Sequence, residues 1–178
     1  MSTCLPLQIT KPVNPSALDY ISIIYGYTPV VFAALSIVAL VLNRTSRSLR
    51  YSTYLLLNGA IVGLLKQLLE LQRPVDSACD SYGMPSGHSS LAVGWLSMVL
   101  LDCFVTIENL PKLKHKALLI SITFALLLPV PFSRVLLQDH SVVQAVIGSL
   151  VGLILGNLWF WAFVLNPDVK VSNSINQV

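Results

Sequence analysis

Five long apolar runs, separated by short polar connectors, make up most of this chain. They cover roughly residues 20–42, 51–71, 89–107, 117–137 and 142–165. Each is close to the roughly 20 residues that a helix needs to cross a bilayer. Helix is the predicted state of all five, because an open sheet cannot satisfy its backbone in hydrocarbon. Pro129 and Pro131 are expected to bend or break the last turns of the fourth run. No internal repeat and no low-complexity tract interrupts the pattern, and the tail 166–178 is polar. The pattern predicts an all-α, polytopic integral-membrane helical bundle of about five transmembrane helices, forming one domain over residues 1–178.

Composition points to the same solvent. Of 178 residues, 54% are apolar and 11% charged, against about 25% charged in ordinary soluble domains. The net charge of +3 is too small to argue for a nucleic-acid partner. The N-terminal stretch MSTCLPLQITKPVNPS has no basic region followed by an apolar core, so no cleavable signal peptide is expected, and the first span would direct insertion. The cysteines are Cys4, Cys79 and Cys103, with no CxxC or Cys/His ligand spacing, so no structural zinc site is expected. Cys103 falls in an apolar run and is read as a small packing residue.

Five crossings place alternate connectors on opposite faces. The N-terminus, loop 72–88 and loop 138–141 share one face, with Lys11, Lys66, Arg73 and Arg134. Loops 43–50 and 108–116 share the other with the C-terminus, and carry Arg44, Arg47, Arg50, Lys112, Lys114, Lys116 and Lys170. Short loops rich in Lys and Arg stay cytosolic, so the first face is expected to be lumenal or extracellular. The sequon Asn43-Arg44-Thr45 would then be cytosolic and unmodified. Cys4 and Cys79 would lie on the oxidising side; two free thiols is the expected reading and a disulfide the alternative. His115, among lysines, is read as part of the topology signal, Asp102 as a polar contact between helices, and Trp95, Trp159 and Trp161 as packing or interface anchors.

Charge at a membrane boundary marks function by default, and here it is gathered at one face. Lys66, Glu70 and Arg73 end the second span, Ser86, Gly87 and His88 open the third, Ser133 and Arg134 close the fourth, and His140 opens the fifth. Three cations where water is scarce suit a compact anion rich in oxygen, such as phosphate or diphosphate. Gly87 allows close backbone approach, and a helix starting there offers unpaired N–H groups to an anion. Two imidazoles beside a phosphate suggest one nucleophile and one acid. No cluster of Asp and Glu suggests a metal, so no metal or other cofactor is expected. Glu70, four residues after Lys66, is read either as its partner or as a group steering substrate.

The ordered stretches Lys66-x6-Arg73-Pro74, Pro85-Ser86-Gly87-His88 and Ser133-Arg134-x5-His140 resemble the three-part signature of the PAP2 (type 2 phosphatidic acid phosphatase) superfamily. Tyr82-Gly83-Met84-Pro85, the run SRVLLQDHSVVQ, Asp19 and Pro29 are similar to its dolichyl diphosphatase branch. The family's terminal Asp falls on Gln144, as it does in that branch, while the branch's usual PSSH is PSGH here. The resemblance implies that His140 attacks phosphorus and Gln144 orients it, that His88 protonates the leaving group and then activates water, and that Lys66, Arg73, Ser86, Gly87 and Arg134 hold the phosphoryl oxygens. Ser133 would help to place Arg134 or an oxygen, and Asp139 could supply a nearby carboxylate. The implied activity is metal-independent hydrolysis of a polyprenyl diphosphate in glycosyl-carrier recycling, with the site on the lumenal side of the endoplasmic reticulum. A phosphatidate or sphingoid-base phosphate phosphatase is the alternative, and a catalytically silent binder of lipid phosphate the second. The expected partners are the bilayer and a lipid carrying phosphate or diphosphate.

Overall fold

Helix starts in this chain are set by small polar residues rather than by the onset of the apolar runs. The computed structural model describes residues 2–106 and 113–165. Helix α1, Ala17–Asn43, begins where Ser16 accepts from the Asp19 N–H and the Asp19 carboxylate accepts from the Ser16 N–H. Helix α2, Ser46–Leu69, begins with the same reciprocal box between Thr45 and Ser48. These caps satisfy N–H groups that a first turn leaves unpaired, so both helices start several residues before the expected spans. Helix α3, Gly87–Leu101, is capped by Ser86 and runs into a π-helical turn, Asp102–Thr106. Helix α4, Leu113–Leu127, and helix α5, Val130–Leu136, are divided at the expected prolines, and α6 is Val142–Leu165. Among the described residues, five stretches are long and apolar enough to cross a bilayer: Ala17–Asn43, Ser46–Leu69, Gly87–Val105, His115–Leu136 and Val142–Leu165. The fold is the expected polytopic membrane bundle. The expected end of the third span at 107, Lys112, Lys170 and the polar tail lie outside the described residues.

Helix α3 is the buried centre, and α1 and α6 turn large apolar side chains such as Leu35, Val41 and Leu158 outward, where only hydrocarbon would solvate them. The tightest packing joins α3 to α6. Gly148, Gly152 and Gly156 recur at every fourth residue, and a Cβ on each would overlap the backbone of Ser86, Ser90 and Gly94 respectively. Small residues at this spacing let helix backbones touch, which matters in lipid because apolar side chains alone give no preference for protein over lipid. Beside this seam, Asn58 Nδ2 donates to Ser90 Oγ at 2.7 Å and to Tyr54 Oη at 3.1 Å, and Tyr54 Oη donates to the Gly152 carbonyl at 3.3 Å.

The two ends of the bundle differ. At one end Arg50, expected as an exposed loop charge, is instead buried and paired with Asp102, which also accepts from Tyr51 Oη at 2.7 Å. Asp102 thus makes the interhelical polar contact expected of it, and Cys103 is buried and unbridged, as its apolar setting suggested. At the other end lies an element the hydrophobic pattern did not predict. Strands β1, Thr3–Leu5, and β2, Ile9–Lys11, form an antiparallel hairpin. Cys4 and Cys79 are joined by a disulfide, with Cα atoms 5.2 Å apart, which corrects the expectation of two free thiols. The two sulfurs belong to segments already held together by the hairpin's contacts with loop 72–81, a proximity that sequence spacing does not encode.

Replacing Gly152 by Ala should lower the melting midpoint of the detergent-solubilised protein, at a cost of about 1–3 kcal/mol from overpacking against the Ser90 backbone. Gly63→Ala, where a Cβ meets nothing within 4 Å, should be neutral or slightly stabilising.

Candidate active site

The α3–α6 seam fixes the polar end. Because Gly148 lies against Ser86, the start of α3 abuts the start of α6, and the Ser86 N–H donates to the Gln144 carbonyl at 3.1 Å. A cavity of about 290 Å³ opens beside this junction. Its polar wall holds Gln8, Lys66, Arg73, His88 and His140, with Gly87 at the first turn of α3. Its apolar wall includes Pro29 and Val30 of α1, Leu55 and Val62 of α2, and Leu91 of α3. Residues of all three signature stretches, 66–74, 85–88 and 133–140, therefore face one space.

Lys66 sits in the last turn of α2 and donates to the Tyr82 carbonyl. Arg73 follows on the loop and donates from Nε to the Ser81 carbonyl at 3.1 Å, from Nη1 to the Asp139 carbonyl at 3.0 Å and from Nη2 to Gln8 Oε1 at 2.6 Å. Arg134 is fully buried behind the cavity; its Nη2 donates to the Gln8 carbonyl at 2.6 Å and lies 3.0 Å from Asp139 Oδ2. Its Nε and Nη1 have no hydrogen-bond partner. Asp139 lies between the two arginines, with Arg73 Nη1 at 3.9 Å and the Thr10 N–H donating to Oδ1 at 3.0 Å. A buried guanidinium needs such a counter-charge, and the residue beside His140 provides it.

Four expected contacts differ. Gln144 does not reach His140: its Oε1 accepts from the Ser141 N–H at 3.1 Å and its Nε2 donates to the Gln72 carbonyl at 2.7 Å. Ser141 Oγ in turn accepts from the Gln144 N–H at 3.2 Å, so Ser141-Val-Val-Gln144 is a capping box that starts α6, a signal readable in the sequence. His140 Nδ1 is enclosed without a hydrogen-bond partner. Ser133 Oγ donates to the Val130 carbonyl within its own helix at 2.7 Å rather than to Arg134 or the cavity. Glu70 is exposed and ends α2 in a left-handed conformation; its backbone N–H, not its carboxylate, contacts Lys66. At Gly87 a Cβ would meet only Val62, at 3.5 Å, so no protein neighbour demands glycine there and the serine of PSSH would fit. Ser86 Oγ caps α3 with Ser89 and does not line the cavity.

Burial, then the charges of Arg73, Arg134 and Lys66, and lastly His88, push the His140 imidazole down to about 2. The ring is therefore neutral, as a nucleophile must be. Its folded pKa lies below the ordinary value of about 6.5, so an unfolded chain takes up a proton first as pH falls. The protein should lose up to about 1.4 kcal/mol of stability per pH unit below about 6.5 from this residue. Melting curves of wild type and His140→Gln between pH 7 and 5 should show a shallower acid slope in the variant; equal slopes would refute a neutral, enclosed ring.

Comparison with known proteins gives the same neighbourhood from three directions. The PAP2 superfamily profile matches residues 47–168. A dolichyldiphosphatase of Saccharomyces cerevisiae is 26% identical over 164 residues, covering 88% of this chain and 68% of that protein. Dolichyldiphosphatase 1 of Dictyostelium discoideum is 30% identical over 138 residues, covering 74% of this chain and 59% of that protein. The match thus spans about three fifths to two thirds of these relatives' length. Among solved structures, a transmembrane PAP2-type phosphatidylglycerolphosphate phosphatase of Bacillus subtilis superposes with a TM-score of 0.62 at 22% identity, over 83% of this chain and 77% of that one.

Proposed function

The chain belongs to the PAP2 superfamily, and from that premise we propose that it is a metal-independent lipid phosphatase converting a polyprenyl diphosphate of the dolichyl type to the monophosphate and inorganic phosphate. The observation that carries this reading is the joint exposure of His88, His140, Lys66 and Arg73 in one cavity that continues into an apolar wall. The similarity to two proteins named dolichyldiphosphatase supports the choice of substrate.

His140 Nε2, its partner nitrogen being enclosed, attacks the terminal phosphorus as the bond to the bridging oxygen breaks. His88, at the start of α3, gives its proton to the leaving oxygen and then takes one from the water that releases phosphate from His140. Lys66, Arg73 and the α3 N-terminus, which Ser86 caps and Gly87 begins, stabilise charge on the phosphoryl oxygens, with Arg134 adding its field from behind. Ser133 acts through the α5 backbone that holds Arg134, and Gln144 through the cap that holds the start of α6. Among the described residues no carboxylate bonds to the His140 ring to stabilise its charge as it attacks. A diphosphate suits such a site, because its leaving group is a phosphate rather than an alkoxide and needs less assistance. The site would lie on the lumenal side of the endoplasmic reticulum, where a glycosyl carrier is discharged. The Gln144 amide, turned away from His140, favours one second reading, a silent binder of lipid phosphate.

Purified protein should release phosphate from a polyprenyl diphosphate in excess EDTA, faster than from phosphatidate or a sphingoid-base phosphate. Preference for monoesters would sink the diphosphatase reading, and no release from any lipid would favour the silent binder. His140→Ala should lower kcat/KM by about 10³-fold or more, and His88→Ala by about 10²–10⁴-fold. In microsomes, Asn43 should stay unglycosylated while a sequon engineered into loop 74–81 is modified; the reverse would invert the orientation.

A further inference from the structure

The N-terminal hairpin has no part in the roles above, yet its tip lies in the cavity. Leu7 and Gln8 both line it, and both hold left-handed backbone, with φ of 64° and 61°. Two consecutive non-glycine residues in that region, one of them leucine, are strained, and such strain persists where surrounding structure imposes it, often at functional sites. The imposing contacts are visible. Ile9 and Thr10 are buried; Ile9 packs against Gly26 of α1, and Thr10 bonds to Asp139 and accepts from the Ala78 N–H at 3.0 Å. The Cys4–Cys79 disulfide ties β1 to the loop that carries Arg73. The tip is therefore a built wall rather than a loose arm.

Gln8 touches both arginines. Its carbonyl accepts from Arg134 Nη2 and its Oε1 from Arg73 Nη2, each at 2.6 Å, and Oε1 also accepts from Ser81 Oγ. With that oxygen held, Nε2 is the free end of the amide and makes no hydrogen bond among the described residues. We propose that the Leu7–Gln8 tip is a headgroup-reading wall of this site: Gln8 Nε2 donates to an oxygen of the substrate's second phosphate, its two oxygens aim Arg73 and Arg134, and the Cys4–Cys79 disulfide clamps it there. The proposal rests on the cavity being the phosphatase site. It makes Gln8 a specificity residue, since a donor beyond the cations rewards a headgroup with two phosphates more than one with a single phosphate.

The test uses the full chain in detergent, with wild type, Gln8→Ala, Gln8→Glu and wild type treated with a phosphine reductant. Two quantities are read: KM and kcat for a polyprenyl diphosphate and for phosphatidate, and the rise in melting midpoint produced by inorganic diphosphate. Gln8→Ala, which also removes the oxygen that aims Arg73, should weaken turnover of both lipids, but should raise KM for the diphosphate about tenfold more than KM for phosphatidate. Gln8→Glu, which replaces the Nε2 donor by a carboxylate oxygen and sets that carboxylate against Arg73, should abolish the stabilisation by inorganic diphosphate. Reduction should reproduce the KM defect of Gln8→Ala. Wild-type KM and melting shift in both variants would overturn the proposal, as would equal losses on both lipids, which mark a merely structural role. Unchanged KM after reduction would overturn the clamp. If wild type releases no phosphate from any lipid, the phosphatase reading falls, and the inorganic-diphosphate shift alone decides the hairpin: its loss in Gln8→Glu supports the wall, and its retention refutes it.

Discussion

Backbone contact between α3 and α6 is the constraint on which this architecture depends. Three glycines one turn apart remove the side chains that would hold the two helices at an ordinary distance, and the carbonyls of Ser86, Ser90 and Gly94 occupy the space. In hydrocarbon this fit must come from van der Waals contact, since burying apolar surface against protein gains little over burying it against lipid. The seam also sets the chemistry. It brings the first residues of α3, which carry His88, against the first residues of α6, which follow His140. One angstrom added at Gly148 would be felt at the Ser86 turn directly.

The two polar ends of the bundle handle charge in opposite ways. At one, Arg50 and Asp102 are buried together and Tyr51 shares the carboxylate, so the pair closes on itself. At the other, Arg73 and Arg134 flank Asp139 and Lys66 adds a third cation to the same cavity, held by the Tyr82 carbonyl rather than by a carboxylate. Buried charge without compensation is costly. Carbonyls of Gln8, Tyr82 and Asp139 offset part of that cost, but neutral oxygens leave the net charge in place. The surplus is what an anionic ligand would meet, and it explains why a polar cluster of this composition stands at a bilayer boundary at all.

How much of this was legible depended on whether the signal was local. Spans and cations were readable because hydropathy and motif spacing are properties of single stretches. The helix starts at Ser16, Thr45 and Ser141 were readable too, from capping residues followed three positions later by Asp19, Ser48 and Gln144. Reading Gln144 as the counterpart of the family's terminal Asp missed the box it forms with Ser141, which competes for the same amide. The glycine spacing in α6 was likewise present but masked by a helix apolar on every face. The hairpin was not legible. Its strands are three residues each, its tip carries Leu7 and Gln8 where a turn normally has glycine or asparagine, and its stability comes from Asp139, Ala78 and Cys79, far away in sequence.

The cavity's mixed lining has a consequence for how turnover is measured. Its cations stand at the end of the bundle, while Pro29, Val30, Leu55 and Val62 belong to stretches long enough to span the bilayer. A ligand with a charged head and a long hydrocarbon tail could be held without its tail ever entering water. Its abundance is then a mole fraction in a two-dimensional fluid, not an amount per litre, and diluting the surface with inert detergent would starve the protein even when the bulk quantity is constant.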